Sequence, residues 1–459
     1  MNRGFHNRLV SLFVFLSTFL WIASFCACSN KVLDVEAEGQ AELADDDLSL
    51  SVRNSLVSEG SSKSSYPSSF KPDDKEYPYA GVPRVVIETE YRQAINDRET
   101  EIPAKLQIWG ENESESEIMD LTIRGRGNTS WTDVPKKSYK IEFEKKQSVL
   151  GMPKDKDWAL IANYYDKSLM RNFISYRLSA ALGAYYAPRC EFAELYLNGK
   201  YLGVYLLTET IKIGKNRVNI PNDDYSYIVE VDGKYKANEQ IVFSDVIIGQ
   251  DKGKAFRVHA PKNATASVLD TIQNFIRKFE RHLLTFDTGK ENEIEEWIDV
   301  GESVKHYWVQ EFTKNPDSEF YTSVYFSWVK GEGIKMGPVW DFDLAFGNHL
   351  NEMINSTEEW HLRKYWYFYL YRDLAYKKWI KECWIENKSI FEGVLDSIGV
   401  YKSFIEKAAL NNFKRWNVLE DASIKLWKNK TFSSYDEVVS DLKNWISKRF
   451  QWIDEQLDN

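Results

Sequence analysis

A chain of 459 residues with 43% hydrophobic and 15% aromatic side chains can bury one large core or two medium ones. Its 59 Lys and Arg are outnumbered by 69 Asp and Glu, a formal net charge of −10, which argues against nucleic acid or an anionic membrane surface as a general electrostatic partner. An anionic ligand therefore needs a locally basic pocket.

At the N-terminus Arg3 and Arg8 precede an almost unbroken apolar run from Leu9 to Phe25, followed by Cys26-Ala27-Cys28. The pattern predicts a lipoprotein signal peptide over 1–28, cleaved before an acylated Cys28, although Phe25 departs from the usual aliphatic residue three before that cysteine. An uncleaved anchor or an ordinary signal peptide is the competing reading. Several acyl chains on one cysteine hold firmly where a single chain anchors marginally. The expected address is the cell envelope, lipid-anchored and facing the periplasm or the cell surface. Cys190 and Cys383 then remain inside the chain, either as one bridge or as two buried thiols; two cysteines make neither a disulfide framework nor a zinc site.

Residues 29–80 read as a disordered tether, because Asp45-Asp46-Asp47, the serines at 61–65 and Pro72-Asp73-Asp74 cannot bury a core. Strands are predicted from Val82 onward, at 84–88, 104–109, 120–124, 137–143 and 158–162. Asp166 is expected to cap a helix whose apolar face carries Leu169, Phe173, Tyr176 and Ala180 and which ends at Gly183. Asn198-Gly199 between two apolar runs predicts a hairpin with a type I′ turn. A few strands, such as 227–231, open the second half, and the pattern then becomes helical near 266–286, 294–314 and 365–457. A β-rich part over 81–222 and a mostly helical part over 223–459 make an α+β, bilobal layout. Tryptophans crowd the last hundred residues at helical spacing and are expected to be core.

Several stretches carry a family likeness in order. They are Arg124-Gly125-Arg126-Gly127-Asn128-Thr129-Ser130-Trp131, Lys136-Lys137-Ser138-Tyr139-Lys140-Ile141, Leu150-Gly151-Met152-Pro153-Lys154-Asp155-Lys156-Asp157-Trp158 and Asp166-Lys167-Ser168-Leu169-Met170-Arg171-Asn172. The hairpin 196–209, Arg217-Val218-Asn219-Ile220 and Gly337-Pro338-Val339-Trp340-Asp341-Phe342-Asp343-Leu344-Ala345-Phe346-Gly347-Asn348 complete the series. From about residue 84 to 350 this resembles the CotH kinase family of spore-coat proteins. The resemblance implies a bilobal protein-kinase-like fold, use of ATP with Mg²⁺ or Mn²⁺, and phosphorylation of Ser or Thr on a protein substrate. A monomer tied to the membrane through its lipid, with no nucleic-acid partner, is expected.

Phosphoryl transfer needs charge neutralisation, in-line positioning and an acceptor for the hydroxyl proton. The resemblance implies that Asp341 binds metal, with Asp343 as a second ligand or as a hydrogen-bonded structural residue. It implies that Asp317, in Asn315-Pro316-Asp317, is catalytic; Asn-Pro-Asp is also good turn chemistry. Thr322 and Ser323 stand where protein kinases carry a metal-binding Asn. Lys140, mid-strand after the Gly-rich turn, resembles the lysine that holds the α- and β-phosphates; alternation puts it on the face opposite Tyr139 and Ile141. Arg124 and Arg126 either close over phosphates or sit on a solvated hairpin. Arg171 either contacts phosphate or pins its helix through a carboxylate such as Glu209. Glu209 ends the strand where a hinge would meet adenine through backbone atoms. The histidines at 259, 282, 306, 349 and 361 show no metal-ligand spacing and read as surface or core polar residues. A catalytically inactive surface lipoprotein, a pseudokinase or a glycan- or protein-binding module, is the alternative function.

Overall fold

The structure is a computed structural model that describes residues 65–248, 251–421 and 430–458. The signal peptide, Cys28, residues 29–64 of the expected tether, and Trp427 lie outside the described residues.

Seven strands close into a barrel: β1 (Arg84–Thr89), β2 (Ile102–Trp109), β3 (Met119–Arg126), β4 (Ser138–Gln147), β5 (Asp155–Ile161), β6 (Cys190–Leu197) and β7 (Lys200–Glu209). Their order is β1-β2-β3-β4-β5-β7-β6, and β1 closes the ring by pairing in parallel with β6, Arg84 opposite Glu194 and Ile87 opposite Leu197. Alternate side chains point inward, as the strand period of two demands. Ile87, Leu106, Ile123, Ile141, Trp158, Leu195 and Leu207 form the barrel's own core. The β6–β7 turn has Asn198 at φ 52° and Gly199 at φ 73°, both left-handed as a type I′ turn requires.

Between β5 and β6 lies α2 (Arg171–Ala181), α1 being the single turn Thr129–Thr132. The Asp166 carboxylate accepts from the backbone of Ser168 at 2.9 Å and of Arg171 at 2.8 Å. The helix thus starts five residues after Asp166, because Asp166 to Met170 form a tight turn with Leu169 at φ 64°.

The second part is α+β in its own right. A five-stranded sheet has the order β12-β11-β8-β10-β9, with β8 (Ser226–Val231), β9 (Ile241–Ile248), β10 (Asp251–Ala260), β11 (Val324–Val329) and β12 (Lys335–Met336). One face of β9 is covered by α3 (Ala266–Leu284). The chain continues through α4 (Val300–Thr313), α5 (Glu352–Asn355), α6 (Tyr365–Leu370), the 42-residue α7 (Leu374–Arg415) and α8 (Tyr435–Asp458). Helix α7 packs against β7 of the barrel as well as against α4 and α8. Trp366 and Trp384 are fully buried, and Trp360, Trp379, Trp416, Trp445 and Trp452 pack against the same core. The mixed α+β class with a β-rich first part and a helical later part holds; the first part is a closed barrel, and the strands of 241–260 add a sheet to the second. No described helix is long and apolar enough to cross a membrane.

One expectation of the fold is corrected. Residues 70–80 are not tether: Phe70 and Ala80 are buried, Tyr77 stacks on Tyr201 with ring centroids 4.1 Å apart, and Asp74 pairs with Arg84 at 2.6 Å. Aromatic rings inside a polar stretch supply the apolar area that its average composition hides. Of the two readings of the internal cysteines, the free thiols hold, with Cys190 buried in β6 and Cys383 half-buried on α7.

Candidate active site

A cleft of about 870 Å³ is lined from the barrel by the end of β3, the Gly127–Ser130 turn and the start of β4. Strands β8, β10 and β11 and two acidic loops line it from the second part. Asp317 stands in the single 3₁₀ turn Pro316–Ser318 that follows α4, where the Asn315 side chain accepts from its backbone N–H at 3.3 Å. Asp341 and Asp343 come from the loop after Trp340. Asp341 has φ 63° and Ser323, also in the lining, φ 56°, left-handed conformations that cost a residue with a Cβ and persist where the surroundings impose them. The loop is held from α2 and from within. Asn172 Oδ1 accepts from Phe342 N at 2.8 Å, Arg171 Nε donates to the Ala345 carbonyl at 2.9 Å, and Asn348 Nδ2 donates to the Asp343 carbonyl at 2.6 Å.

These carboxylates share one electrostatic field. Burial, then the neighbouring Asp341 charge, pushes Asp317 up to about 8. Burial raises Asp341 against the opposing pull of the Arg126 guanidinium. Asp343 is raised well above the usual range by burial and then by Asp341 and Asp317.

The basic residues divide. Arg126 lies over the Trp340 ring at 4.8 Å and lines the cleft. Arg124 also lines it, but donates to the Arg98 carbonyl at 2.6 Å and to Glu101 at 3.3 Å. Lys140 does not line this cleft. It points outward from β4 into an adjoining cavity of about 690 Å³ that also takes in residues 210–213 after β7. There its ammonium pairs with Glu142 at 2.8 Å and Asp157 at 3.1 Å. The two cavities share Arg124, Arg126, His259, Tyr325 and Trp340.

Arg171 and Glu209 line neither cavity and are corrected to structural roles. Arg171 is buried against Asp166 and the Ala345 carbonyl, so it pins its helix through Asp166 and not Glu209. Glu209 is buried between Arg217 and Arg189, with the Tyr186 hydroxyl at 3.1 Å.

Sequence reasoning missed Glu230 and His259. Glu230 Oε2 lies 2.7 Å from His259 Nε2, and Tyr325 is its partner across the β8–β11 ladder. A lone Glu in the apolar run Tyr227-Ile228-Val229-Glu230-Val231 was the available signal, since a buried carboxylate in a strand needs a partner. His259 faces the seam between the cavities instead of a plain surface or core. Asn172, which fixes the acidic loop, was visible only as part of an Arg-Asn pair.

The donors on the acidic loops are hard carboxylate and hydroxyl oxygens, the chemistry that suits Mg²⁺ or Mn²⁺. Among the described residues no three His, Cys, Asp or Glu side chains form a group that could hold a metal ion on its own.

The CotH kinase protein family model matches residues 123–453, most of the chain and all three of these aspartates. The chain belongs to the CotH family. The match opens at Ile123 inside β3, so β1, β2 and the packed residues before them precede it. Among curated proteins, Inner spore coat protein H of Bacillus subtilis (strain 168) is 39% identical over 93 residues. That stretch is 20% of this CotH-family chain and 24% of the relative, so about a quarter of the relative's length is spanned.

Proposed function

We propose that this CotH-family chain is a phosphotransferase that moves the terminal phosphoryl group of ATP to a Ser or Thr hydroxyl of an exported or surface protein. The observation that carries the reading is the convergence of Asp317 from one turn and of Asp341 and Asp343 from one loop in a single cleft, with Arg126 in its lining. The barrel and the helical part act as the two lobes of a kinase-like fold. Asp341 and Asp343 hold a divalent ion, with the Ser323 hydroxyl next to them. When bound, that ion neutralises phosphate charge. Asp317 orients the acceptor hydroxyl and takes its proton as the new O–P bond forms, while the electron pair of the broken bond leaves on ADP. Arg126 offers a guanidinium to phosphate oxygens. The spore-coat relative supports an envelope or surface location; the sequence around Cys28 supports an acylated anchor there, which loss of fatty-acid labelling in Cys28→Ala checks.

Asp317 and Asp341 have different roles, so their variants fail differently. Asp341→Ala weakens calorimetric binding of Mg-ATP. Asp317→Asn keeps that binding and loses about 10²-fold or more in transfer from labelled ATP to a Ser-rich protein. Wild-type behaviour of both variants in both assays would remove the assignment. A second reading, a surface protein that binds without transferring phosphate, is favoured by one observation: Lys140 is engaged by two carboxylates outside the acidic cleft. Binding of Mg-ATP by the wild type without transfer to any acceptor would select it.

A further inference from the structure

On the phosphotransferase reading the carboxylates stand beside an anionic phosphoryl group, so the cleft's cations decide whether that anion is accepted. Most of its basic side chains already have acceptors. Arg98 donates to the Gly127 carbonyl at 2.6 Å, and Arg124 to the Arg98 carbonyl. Lys136 is buried on the Val204 carbonyl and Asn412. Lys236 pairs with Glu99, Arg257 with Glu239 and Lys364 with Glu319. Lys254 lies over the Tyr365 ring at 5.3 Å. Arg126 and Lys234 likewise line the cleft over an aromatic ring, and the charge of each acts on the Asp341 carboxylate.

Lys234 comes from the turn between β8 and β9. The Asp232 carboxylate accepts from its backbone N–H at 2.8 Å, which fixes the turn. Its ammonium stands over Tyr321 at 5.6 Å, and Tyr321 follows Asp317 by four residues and is 59% exposed. Lys234, Asp317 and Asp341 line the same cleft from three chain segments, and the Lys234 charge lowers the carboxyls of both acids against the effect of burial.

We propose that Lys234 is a catalytic residue of this site, the ammonium that binds the oxygens of the phosphoryl group in transfer, with Arg126 supplied by the barrel. This rests on the phosphotransferase reading above. As the acceptor oxygen bonds phosphorus and the bond to the ADP oxygen breaks with its electron pair, the hydroxyl proton goes to Asp317. Lys234 donates hydrogen bonds throughout and gives up no proton. An ammonium on a flexible stem suits a group whose charge moves.

Calorimetric titration of the full chain with tripolyphosphate in Mg²⁺, beside transfer from labelled ATP, tests it. Lys234→Met should weaken tripolyphosphate by about tenfold or more, while Lys234→Arg stays within about threefold of wild type. Transfer by Lys234→Met should fall by about 10²-fold with an unchanged unfolding midpoint. Lys236→Met, whose ammonium is already paired, should bind as wild type. Wild-type tripolyphosphate binding by Lys234→Met, or an equal loss in Lys236→Met, overturns the proposal. Loss of tripolyphosphate in Lys234→Met, with no transfer by the wild type to any acceptor, upholds Lys234 as the anion ligand and removes the phosphotransfer reading alone.

Discussion

Without a cation beside Asp341, burial and then the Asp341 charge push the Asp317 carboxyl up to about 8; it accepts the hydroxyl proton in its ionised form, which a cation at Asp341 favours. In the unfolded chain it titrates near 4, so between those values the folded state holds the extra proton and stability falls as pH rises. Asp317→Asn removes that titration. In buffer free of divalent ions its unfolding midpoint should exceed wild type by about 2 °C or more at pH 8, with a smaller difference at pH 5. Thermal unfolding of both proteins at the two pH values measures it; a difference that shrinks as pH rises would contradict the assignment. The same burial explains what could be read at this scale from the sequence. Asp317, Asp341 and Asp343 sit in short motifs and reach one cleft. The outward face of Lys140 follows from alternation with Tyr139 and Ile141, but which cavity that face meets depends on barrel closure. Closure pairs Arg84 with Glu194, a long-range match that no local pattern carries.

Elements in the second part are held by buried polar ties. Arg449 on α8 and Glu311 on α4 pair at 2.5 Å with both side chains fully buried. Burial alone would raise the Glu311 carboxyl, but Arg449 and its other cationic neighbours bring it below the usual range. Glu311 also accepts from the backbones of His361 at 2.7 Å and Leu362 at 2.8 Å, which anchors the chain ahead of α6. Arg449→Met leaves that carboxylate unpaired and should cost about 3–5 kcal/mol in urea unfolding. Adding Glu311→Leu should recover only part of the loss, because two backbone N–H groups then lose their acceptor. Full recovery in the double variant would show that those N–H groups find other partners. Helix existence here was legible from periodicity, and so was the type I′ hairpin. The start of α2 was not, because Asp166 caps a turn before it caps the helix. The β9–β10 pair falls among the few strands expected there, but its bounds were not legible, because Phe243 and Ile247 on the outer face of β9 break the polar-apolar alternation that marks a half-buried strand.

At the scale of the whole molecule, composition identified a β-rich part followed by a helical one, because segment averages survive errors in single elements. It misplaced the edge of the folded body, since a few aromatic rings in a polar stretch outweigh the average around them. Phe70, buried at 5% exposure, joins Val86, Trp109, Tyr196 and Tyr201 on the outside of the barrel. The Glu76 and Pro78 carbonyls accept from Lys414 at 2.7 Å and from Asn411 at 2.9 Å on α7, so this segment ties β1 and β6 to the longest helix. A chain beginning at Val82 loses these contacts and uncovers the site of barrel closure. A chain beginning at Ser65 keeps them. Replacing a buried Phe by Ala costs about 3 kcal/mol or more, so deleting the whole segment should cost at least as much. The expected result is a lower urea midpoint for the Val82 chain than for the Ser65 chain, with Phe70→Ala in the longer chain reproducing much of the difference. Limited proteolysis should then open the Val82 chain within β1. Equal midpoints for the two chains would mean that the barrel closes without its outer strap, and that the contacts of Tyr77 and Asp74 add nothing to its stability.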